Sequence, residues 1–280
     1  MPPTLDQLQQ RVVEMACLPT LPSIVRSIGN IADDNKTTAE DIARLVSADQ
    51  VLSAKLLRLV NSPVYGFPGR ISNITHAVVL LGFNAVKGLV MATAVFDIVG
   101  RPGKTLWEHS LGCAVICRRL AQAIGHPDPE ETMVAGLLHD LGKVVLAYVA
   151  PEDYSRTIQT AKERNLYIGV AEEEVLGITH TRVAGWLAVE WHFPQRLTEP
   201  LLHHHNPAMA KDFPDATAIV HVADILARGM GFGEPGDDTL PPFSSAAYRT
   251  LKLTREKLDD ALSKAEVDFR TGADFLDIGR

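Results

Sequence analysis

Apolar residues recur at helical spacing in almost every segment of this 280-residue chain. No run alternates between apolar and polar residues in the way that a half-buried strand does. Leu52, Leu56 and Leu59, for example, form one helical face, and Leu187 and Trp191 lie on another. The sequence therefore predicts an all-α protein.

The clearest break in composition is Arg101-Pro102-Gly103-Lys104. It divides the chain into two predicted helical lobes that pack together, residues 1–100 and residues 101–280. A chain of this length can bury a large core as one long domain or as two. We interpret the most apolar window, Ala77 to Val99, as two buried helices rather than a membrane span, because it contains a lysine and two glycines.

Charge and cysteine content exclude several classes of protein. The formal net charge of −7 argues against a protein that binds nucleic acid mainly through phosphates. The short helices around Asp49 could form a helix-turn-helix, but residues 1–100 carry as many acidic as basic side chains, so we favour plain helix packing. Cys113 and Cys117 share a helical face and are predicted core residues, and Cys17 is alone. With no disulfide framework and no signal peptide expected, the sequence indicates a reducing cytoplasm.

Three polar side chains interrupt the apolar stretch from Gly136 to Lys143, namely His139, Asp140 and Lys143 itself. Burying them without partners would cost several kcal/mol, and a metal ion would compensate them. Lys143 lies four residues after His139 and three after Asp140, so on one helix it would project from the same side as both. Its cation there suits a bound phosphate. The alternative is a surface lysine whose stem covers apolar surface.

Further histidines and acids are predicted to face the core. His109 lies in the first turn of a helix that Thr105 and Glu108 open with a capping-box pattern. His180 begins a buried helix after Thr179. A histidine pair, His204 and His205, is predicted to lie on the apolar face of the next helix. The full inward-facing set comprises His109, His139, Asp140, His180, His204, His205 and Asp224.

Five imidazoles and two carboxylates without a thiolate favour iron or manganese, and zinc is possible. One closed tetrahedral site needs about four ligands, so seven indicate two ions. Two ions roughly 3.5 to 4 Å apart can share an ionised water and clamp a phosphoryl oxygen. Asp140 can bridge them and Lys143 would neutralise developing charge, which makes these two the predicted catalytic residues. The first ion would take His109, His139, Asp140 and Asp224, and the second Asp140, His180, His204 and His205.

A single buried histidine is more often a satisfied core residue than a ligand, and only the joint occurrence of the set favours metal. The remaining histidines are assigned to surface or hydrogen-bonding positions. His221, three residues before Asp224, is the candidate to support a ligand.

Residues 101 to 228 resemble the HD superfamily of metal-dependent phosphohydrolases. The superfamily signature of a histidine, a His-Asp pair and a later aspartate is matched by His109, His139-Asp140 and Asp224. The presence of His180 and His204-His205 is similar to the HD-GYP branch, which carries a two-metal site for cyclic dinucleotide cleavage. Asn206-Pro207-Ala208-Met209 stands where the Gly-Tyr-Pro motif would follow, which argues against cyclic di-GMP hydrolysis.

The N-terminal lobe closely resembles the HDOD domain, and the likeness extends from about residue 15 to about residue 230. The motifs that carry it are Leu18-Pro19-Thr20-Leu21-Pro22, Ala48-Asp49-Gln50-Val51-Leu52, Leu59-Val60-Asn61-Ser62-Pro63-Val64-Tyr65 and Ile74-Thr75-His76-Ala77-Val78-Val79-Leu80-Leu81-Gly82. The resemblance implies an HD-like bundle in the C-terminal lobe and a bacterial signalling role, often in proteins with response-regulator or cyclic dinucleotide domains. Many members have lost the metal ligands, whereas this chain retains a full candidate set.

Two functional hypotheses follow. The first is a cytoplasmic signalling protein that binds one or two divalent metal ions and hydrolyses a phosphoester or nucleotide-like ligand. The second is a non-catalytic interaction module with a structural or sensory metal. In either case we expect a separate signalling protein as partner and a phosphate-containing small molecule as a possible ligand, and neither a membrane nor nucleic acid.

Overall fold

The computed structural model describes residues 3–16, 38–65, 67, 71–99 and 104–272, and the regular structure in these ranges is helical, without a strand. This confirms the predicted all-α class. The α-helices are α1 Leu5–Ala16, α2 Ala39–Ser47, α3 Gln50–Val60, α4 Ile74–Leu81, α5 Phe83–Val99, α6 Lys104–Ile124, α7 Pro129–Leu138, α8 Leu141–Val149, α9 Pro151–Arg164, α10 Ile168–Leu176, α11 His180–Glu190, α12 Gln195–His203, α13 Pro214–Gly229, α14 Ser245–Leu251 and α15 Arg255–Thr271. A short 3-10 helix, Pro207–Met209, precedes α13.

Local capping chemistry fixes several helix ends where the sequence predicted them. Thr38 and Asp41 form a reciprocal capping box at the start of α2, and Asp49 accepts from two backbone N–H groups at the start of α3. Asn73 caps α4 in the same way. Gly82 ends α4 with a φ of 83°, a conformation that favours glycine.

Two residues that the sequence predicts as helix N-caps, Asn84 and Thr105, lie inside helices instead. Asn84 lies inside α5, and its side-chain amide donates to Glu131 at 3.0 Å. α6 begins at Lys104, so Thr105 is already helical, and its carbonyl oxygen accepts from the backbone N–H of Glu234 at 3.1 Å. Both contacts join segments that are distant in sequence.

One large apolar core joins helices from both predicted lobes. α6 lies at its centre and packs against α7, α13 and α15. α5 contacts α7 and α8, and α1 lies against α8 and α11. Cys113 and Cys117 are buried in this core as predicted, whereas Cys17 and the motif Leu18–Pro22 lie outside the described residues. The division at residue 100 stays a prediction.

Within the described residues, the helical stretch Pro129–Val149 is long and apolar enough to cross a membrane, but 89% of its most apolar window is buried inside the protein. The predicted pair of helices in the window Ala77 to Val99 is α4 followed by α5, which are bent by 120° at Gly82. Core helices pass the same length and hydropathy test, so both stretches are weak indications of a span.

Two helix breaks place the central polar residues. α7 ends at Leu138 and α8 begins at Leu141, so His139 and Asp140 lie in the turn between them. The prediction that a helix carries His139 and Asp140 is therefore wrong. Likewise α12 ends at His203, which places the histidine pair in the turn that follows instead of on the helix face. A turn can aim successive side chains at one point, which a regular helix cannot do.

Close packing beside the His-Asp turn leads to a stability prediction. A Cβ atom on Gly142 would lie 1.9 Å from the carbonyl oxygen of His180, where α8 crosses the start of α11. We expect Gly142→Ala to lower the free energy of unfolding by about 1 to 3 kcal/mol, because the two backbones must separate. The measurement is equilibrium urea unfolding.

Gly229→Ala is the matched control, since Gly229 is also helical but a Cβ there would meet nothing within 4 Å. It should leave stability unchanged or raise it by up to about 1 kcal/mol. Equal effects of the two substitutions would contradict the close crossing of α8 and α11.

Candidate metal centre

All seven side chains predicted to face the core converge at one place in the described structure. Nitrogen and oxygen atoms within 4.8 Å of one another define a first group, His109, His139 and Asp224, and a second group, Asp140, His180, His204 and His205. Six of the seven side chains are at most 2% exposed. His205 alone reaches solvent, with 20% of its side chain exposed.

Asp140 links the two groups. Its Oδ2 atom lies 3.2 Å from Nε2 of His139 and 3.7 Å from Nε2 of His109. Its Oδ1 atom lies 3.4 Å from Nε2 of His180 and 3.9 Å from Nε2 of His204. One carboxylate therefore directs an oxygen at each group, which is the geometry of a bridging ligand.

Asp224 completes the first group from α13. Its Oδ1 atom lies 3.1 Å from Nε2 of His109 and 3.8 Å from Nε2 of His139. The same oxygen accepts from Nε of Arg228 at 2.9 Å. Its other oxygen lies 3.9 Å from Nδ1 of His205, so Asp224 also borders the second group.

Four of the five rings are oriented through the nitrogen that faces away from the centre. Carbonyl and carboxylate oxygens only accept hydrogen bonds, so Nδ1 is the donor in each of these contacts and Nε2 is the nitrogen that faces the centre. The contacts from Nδ1 are His109 to Phe232 O at 3.2 Å, His139 to Gly136 O at 2.7 Å, His180 to Glu172 Oε2 at 2.7 Å and His204 to Pro200 O at 3.1 Å.

Lys143 is buried, with 1% of its surface exposed, and does not take the surface position that was the alternative. Its Nζ donates to Oδ2 of Asp140 at 2.7 Å and to the carbonyl oxygen of Pro235 at 2.9 Å. Lys143 thus lies on the same side as Asp140, as its spacing predicted. The contact with Pro235 ties the loop after α13 to the centre.

Supporting residues form a layer that sequence reasoning mostly missed. Glu172 accepts from both the backbone N–H and the ring of His180. Arg228, four residues after Asp224, also binds Asp237 at 3.1 Å. Its helical spacing from Asp224 was a usable signal, whereas Glu172 and Asp237 carried none. His221 was predicted to support a ligand, and its Nδ1 lies 2.7 Å from the carbonyl oxygen of His204.

Several polar atoms at this centre are buried without a hydrogen-bond partner. Three of them face Asp140 and its partners, namely His139 Nε2, Asp140 Oδ1 and His204 Nε2, and the fourth, His205 Nδ1, lies on the side of Asp224. An unsatisfied buried polar group costs about 1 to 3 kcal/mol, so four in one place need a common compensation. Imidazole and carboxylate lone pairs directed at one point fit a divalent cation, and this donor set suggests such an ion here.

Burial sets the protonation of the second group. It lowers the pKa of His204 and of His205 well below the ordinary value, so both rings are neutral near pH 7. Burial opposes ionisation of Asp140, but the nearby His139 and Lys143 charges hold its pKa well below the usual range. His204 and His205 thus present neutral rings beside an ionised carboxylate, the protonation states that metal binding requires.

Over the described residues, an all-α fold that encloses histidine and aspartate side chains in this way is HD-like. The HDOD domain family matches residues 18–207. This range is more than half of the chain, and the protein belongs to the HDOD family. The match contains the histidines of both groups and ends before Asp224.

Known relatives agree with this assignment. An uncharacterised protein of Treponema pallidum (strain Nichols) is 28% identical over 254 residues, which are 87% of this chain and 49% of that protein. The chain thus spans about half the length of this relative. A solved HDOD domain protein of unknown function from Geobacter sulfurreducens is 28% identical, with a TM-score of 0.74 over 97% of this chain and 99% of its own.

A solved Shewanella amazonensis protein, provisionally assigned as a phosphohydrolase, is 23% identical with a TM-score of 0.63. It covers 91% of this chain and 97% of its own length. At this identity the likeness supports the shared fold alone.

The lowered histidine pKa values predict how the stability of the metal-free protein depends on pH. Burial lowers the pKa of His109, His204 and His205, so unfolded rings take up protons near pH 6.5 while these folded rings do not. The unfolded state then binds more protons, and stability falls as pH falls from about 7 to about 5. Each ring contributes up to about 1.4 kcal/mol per pH unit.

His139 acts in the opposite direction. Burial lowers its pKa, but Asp140 and other neighbours raise it well above the ordinary value overall. Burial also lowers the pKa of His221, so one raised ring against four lowered ones leaves a net loss of stability in acid. Urea unfolding with a chelator present at pH 7.5, 6.5 and 5.5 measures the slope, which His204→Asn should reduce. A flat or rising stability towards acid would contradict the burial of neutral rings.

Proposed function

We propose that this chain is a signalling HDOD protein with a two-ion metal centre that hydrolyses a phosphoester or nucleotide-like ligand. The observation that carries the proposal is the Asp140 carboxylate, whose two oxygens are directed at two separate groups of side chains. A carboxylate between two ions is the arrangement of two-metal hydrolases. The unpaired buried lone pairs around it support the same conclusion.

The proposed first ion is held by His109, His139, Asp140 and Asp224, and the second by Asp140, His180, His204 and His205. Neutral imidazole nitrogens and carboxylate oxygens without a thiolate favour iron or manganese, and zinc also suits them. Each ring nitrogen that would bind is fixed by a hydrogen bond on the opposite side of its ring or by a neighbouring ring. Such support raises ligand basicity and holds the ring in place.

When bound, the ions supply Lewis-acid polarisation of a phosphoryl oxygen and a nucleophilic water. The chain itself holds the reacting groups in place. Lys143 donates to Asp140, which fixes that carboxylate between the two groups and offsets negative charge beside the reaction centre. Arg228 does the same for Asp224. The apolar helices around the centre exclude bulk water, which strengthens each of these interactions.

A non-catalytic signalling module with a structural or sensory metal is the second candidate function. The observation that favours it is the enclosure of the centre, since only His205 reaches solvent. A phosphoester could approach from that side alone unless the loop after α13 moves. Cyclic di-GMP hydrolysis is not part of either proposal, because Asn206-Pro207-Ala208-Met209 replaces the Gly-Tyr-Pro motif.

For both candidates we propose a cytoplasmic location, which suits the free thiols of Cys113 and Cys117. A signalling protein would be the partner, and a phosphate-containing small molecule the ligand. We propose neither membrane nor nucleic-acid binding.

Metal-dependent turnover tests the first candidate against the second. Protein purified without oxygen and loaded with Mn²⁺ should cleave bis(4-nitrophenyl) phosphate or 4-nitrophenyl phosphate. Asp140→Asn should lower the rate at least about 100-fold, because changes even to partners of metal ligands cost 10- to 100-fold. Asp259→Asn, which alters an exposed carboxylate on α15, is the control and should leave turnover unchanged.

The outcomes separate the hypotheses. Full metal occupancy without turnover on either substrate would favour the non-catalytic module. A wild-type protein that retains no metal on elemental analysis, and whose stability His139→Ala does not change, would remove both.

A further inference from the structure

Tyr167 contacts the one candidate ligand that reaches solvent. Its hydroxyl oxygen lies 2.5 Å from Nε2 of His205, and the two rings meet edge to face with centroids 5.1 Å apart. The Arg228 guanidinium lies 5.7 Å from the centre of the tyrosine ring. Tyr167 is therefore held against the exposed side of the second group.

The position of Tyr167 is fixed by the layer that supports the first group. The backbone N–H of Ile168, the next residue, donates to Oδ2 of Asp237 at 3.1 Å. Asp237 is bound by Arg228, which also binds Asp224. The tyrosine hydroxyl thus lies on His205 because of a chain of charged contacts that begins at the centre itself.

The atom for which Tyr167 and an ion would compete is Nε2 of His205. It lies 3.0 Å from Nε2 of His180. Two nitrogens that bind one ion at about 2.1 Å are roughly 3.0 Å apart at a right angle and roughly 3.4 Å apart at the tetrahedral angle of zinc. The two rings are therefore already spaced as a pair of ligands, and Nε2 is the atom of His205 that an ion shared with His180 would use.

A ring nitrogen has one lone pair in the ring plane, so it forms a hydrogen bond or binds an ion along that direction, but not both. Whichever atom carries the proton, the contact with Tyr167 occupies this direction. The distance of 2.5 Å is that of a hydrogen bond, since two ligands of one ion lie farther apart. An ion can reach Nε2 of His205 only if Tyr167 releases it.

We propose that Tyr167 competes with the ion of the second group for His205, and so makes this group the weaker of the two metal sites. In the described residues, no hydroxyl group contacts the inward nitrogens of His109 or His139, so the first group has no such competitor. The inference rests on the proposed metal binding and not on hydrolysis.

Binding of Zn²⁺ to the full chain, measured by titration calorimetry, tests the proposal. Tyr167→Phe keeps the ring and removes the hydroxyl, so the second equivalent should bind roughly two- to tenfold tighter, as expected for the loss of one competing hydrogen bond. The first equivalent should change less than about twofold. Unchanged or weaker binding of the second equivalent would overturn the proposal, the weaker outcome indicating that the hydroxyl supports the ion.

Tyr65→Phe is the control, because it removes the hydroxyl of a buried tyrosine that has no hydrogen-bond partner among the described residues. It should leave both equivalents unchanged, and a shift as large as that of Tyr167→Phe would overturn the proposal. A second readout uses the wild-type protein alone. Release of Tyr167 should change the near-ultraviolet tyrosine absorbance with the second equivalent of Zn²⁺, which itself does not absorb there.

The absence of that spectral change in a wild-type protein that binds two equivalents would also overturn the inference. A wild-type protein that binds no Zn²⁺ would instead defeat the proposed metal centre. Two bound equivalents with an unaffected Tyr167→Phe variant would defeat the competition alone, so the two failures are distinguishable.

Discussion

The ionised carboxylate of Asp140, buried between two sets of imidazoles, is the charge on which the rest of the centre depends. An unpaired carboxylate in this interior would be prohibitively unfavourable. Lys143 neutralises it, and the rings of His139 and His180 face its two oxygens. The polar cluster is therefore one coupled unit in which each group stabilises the ionisation state of its neighbours.

Breaks between helices bring this unit together. His139 and Asp140 occupy the turn between α7 and α8, and the histidine pair follows the end of α12. The helices supply rigid apolar packing, while the turns direct several side chains at one point. The loop after α13 then closes over the centre through Pro235, which is why a site with two candidate metal groups exposes little more than His205.

The chemistry of the centre favours the hydrolytic candidate function, whereas the enclosure of the centre favours the non-catalytic signalling module. Unpaired buried polar atoms, neutral rings at His204 and His205 and a carboxylate directed at both groups suit metal-assisted phosphoester hydrolysis. A buried centre that is coupled to a covering loop also suits a module that reports metal occupancy to a partner. Tyr167 bears on both candidate functions, because it contacts the exposed His205 and also Arg228 of the charged network behind it.

The sequence by itself determined the helical class, most helix ends, the HDOD family and the seven inward-facing side chains, because periodicity and capping act over a few residues. It did not locate Glu172, Asp237 or Tyr167, and it placed the His139-Asp140 pair on a helix instead of in a turn. Only the tertiary structure decided which atoms come within bonding distance and that Lys143 is buried. The physical reason is that these contacts join residues far apart in the sequence. Tyr167 and His205, for example, are 38 positions apart, a separation that no local spacing rule can specify.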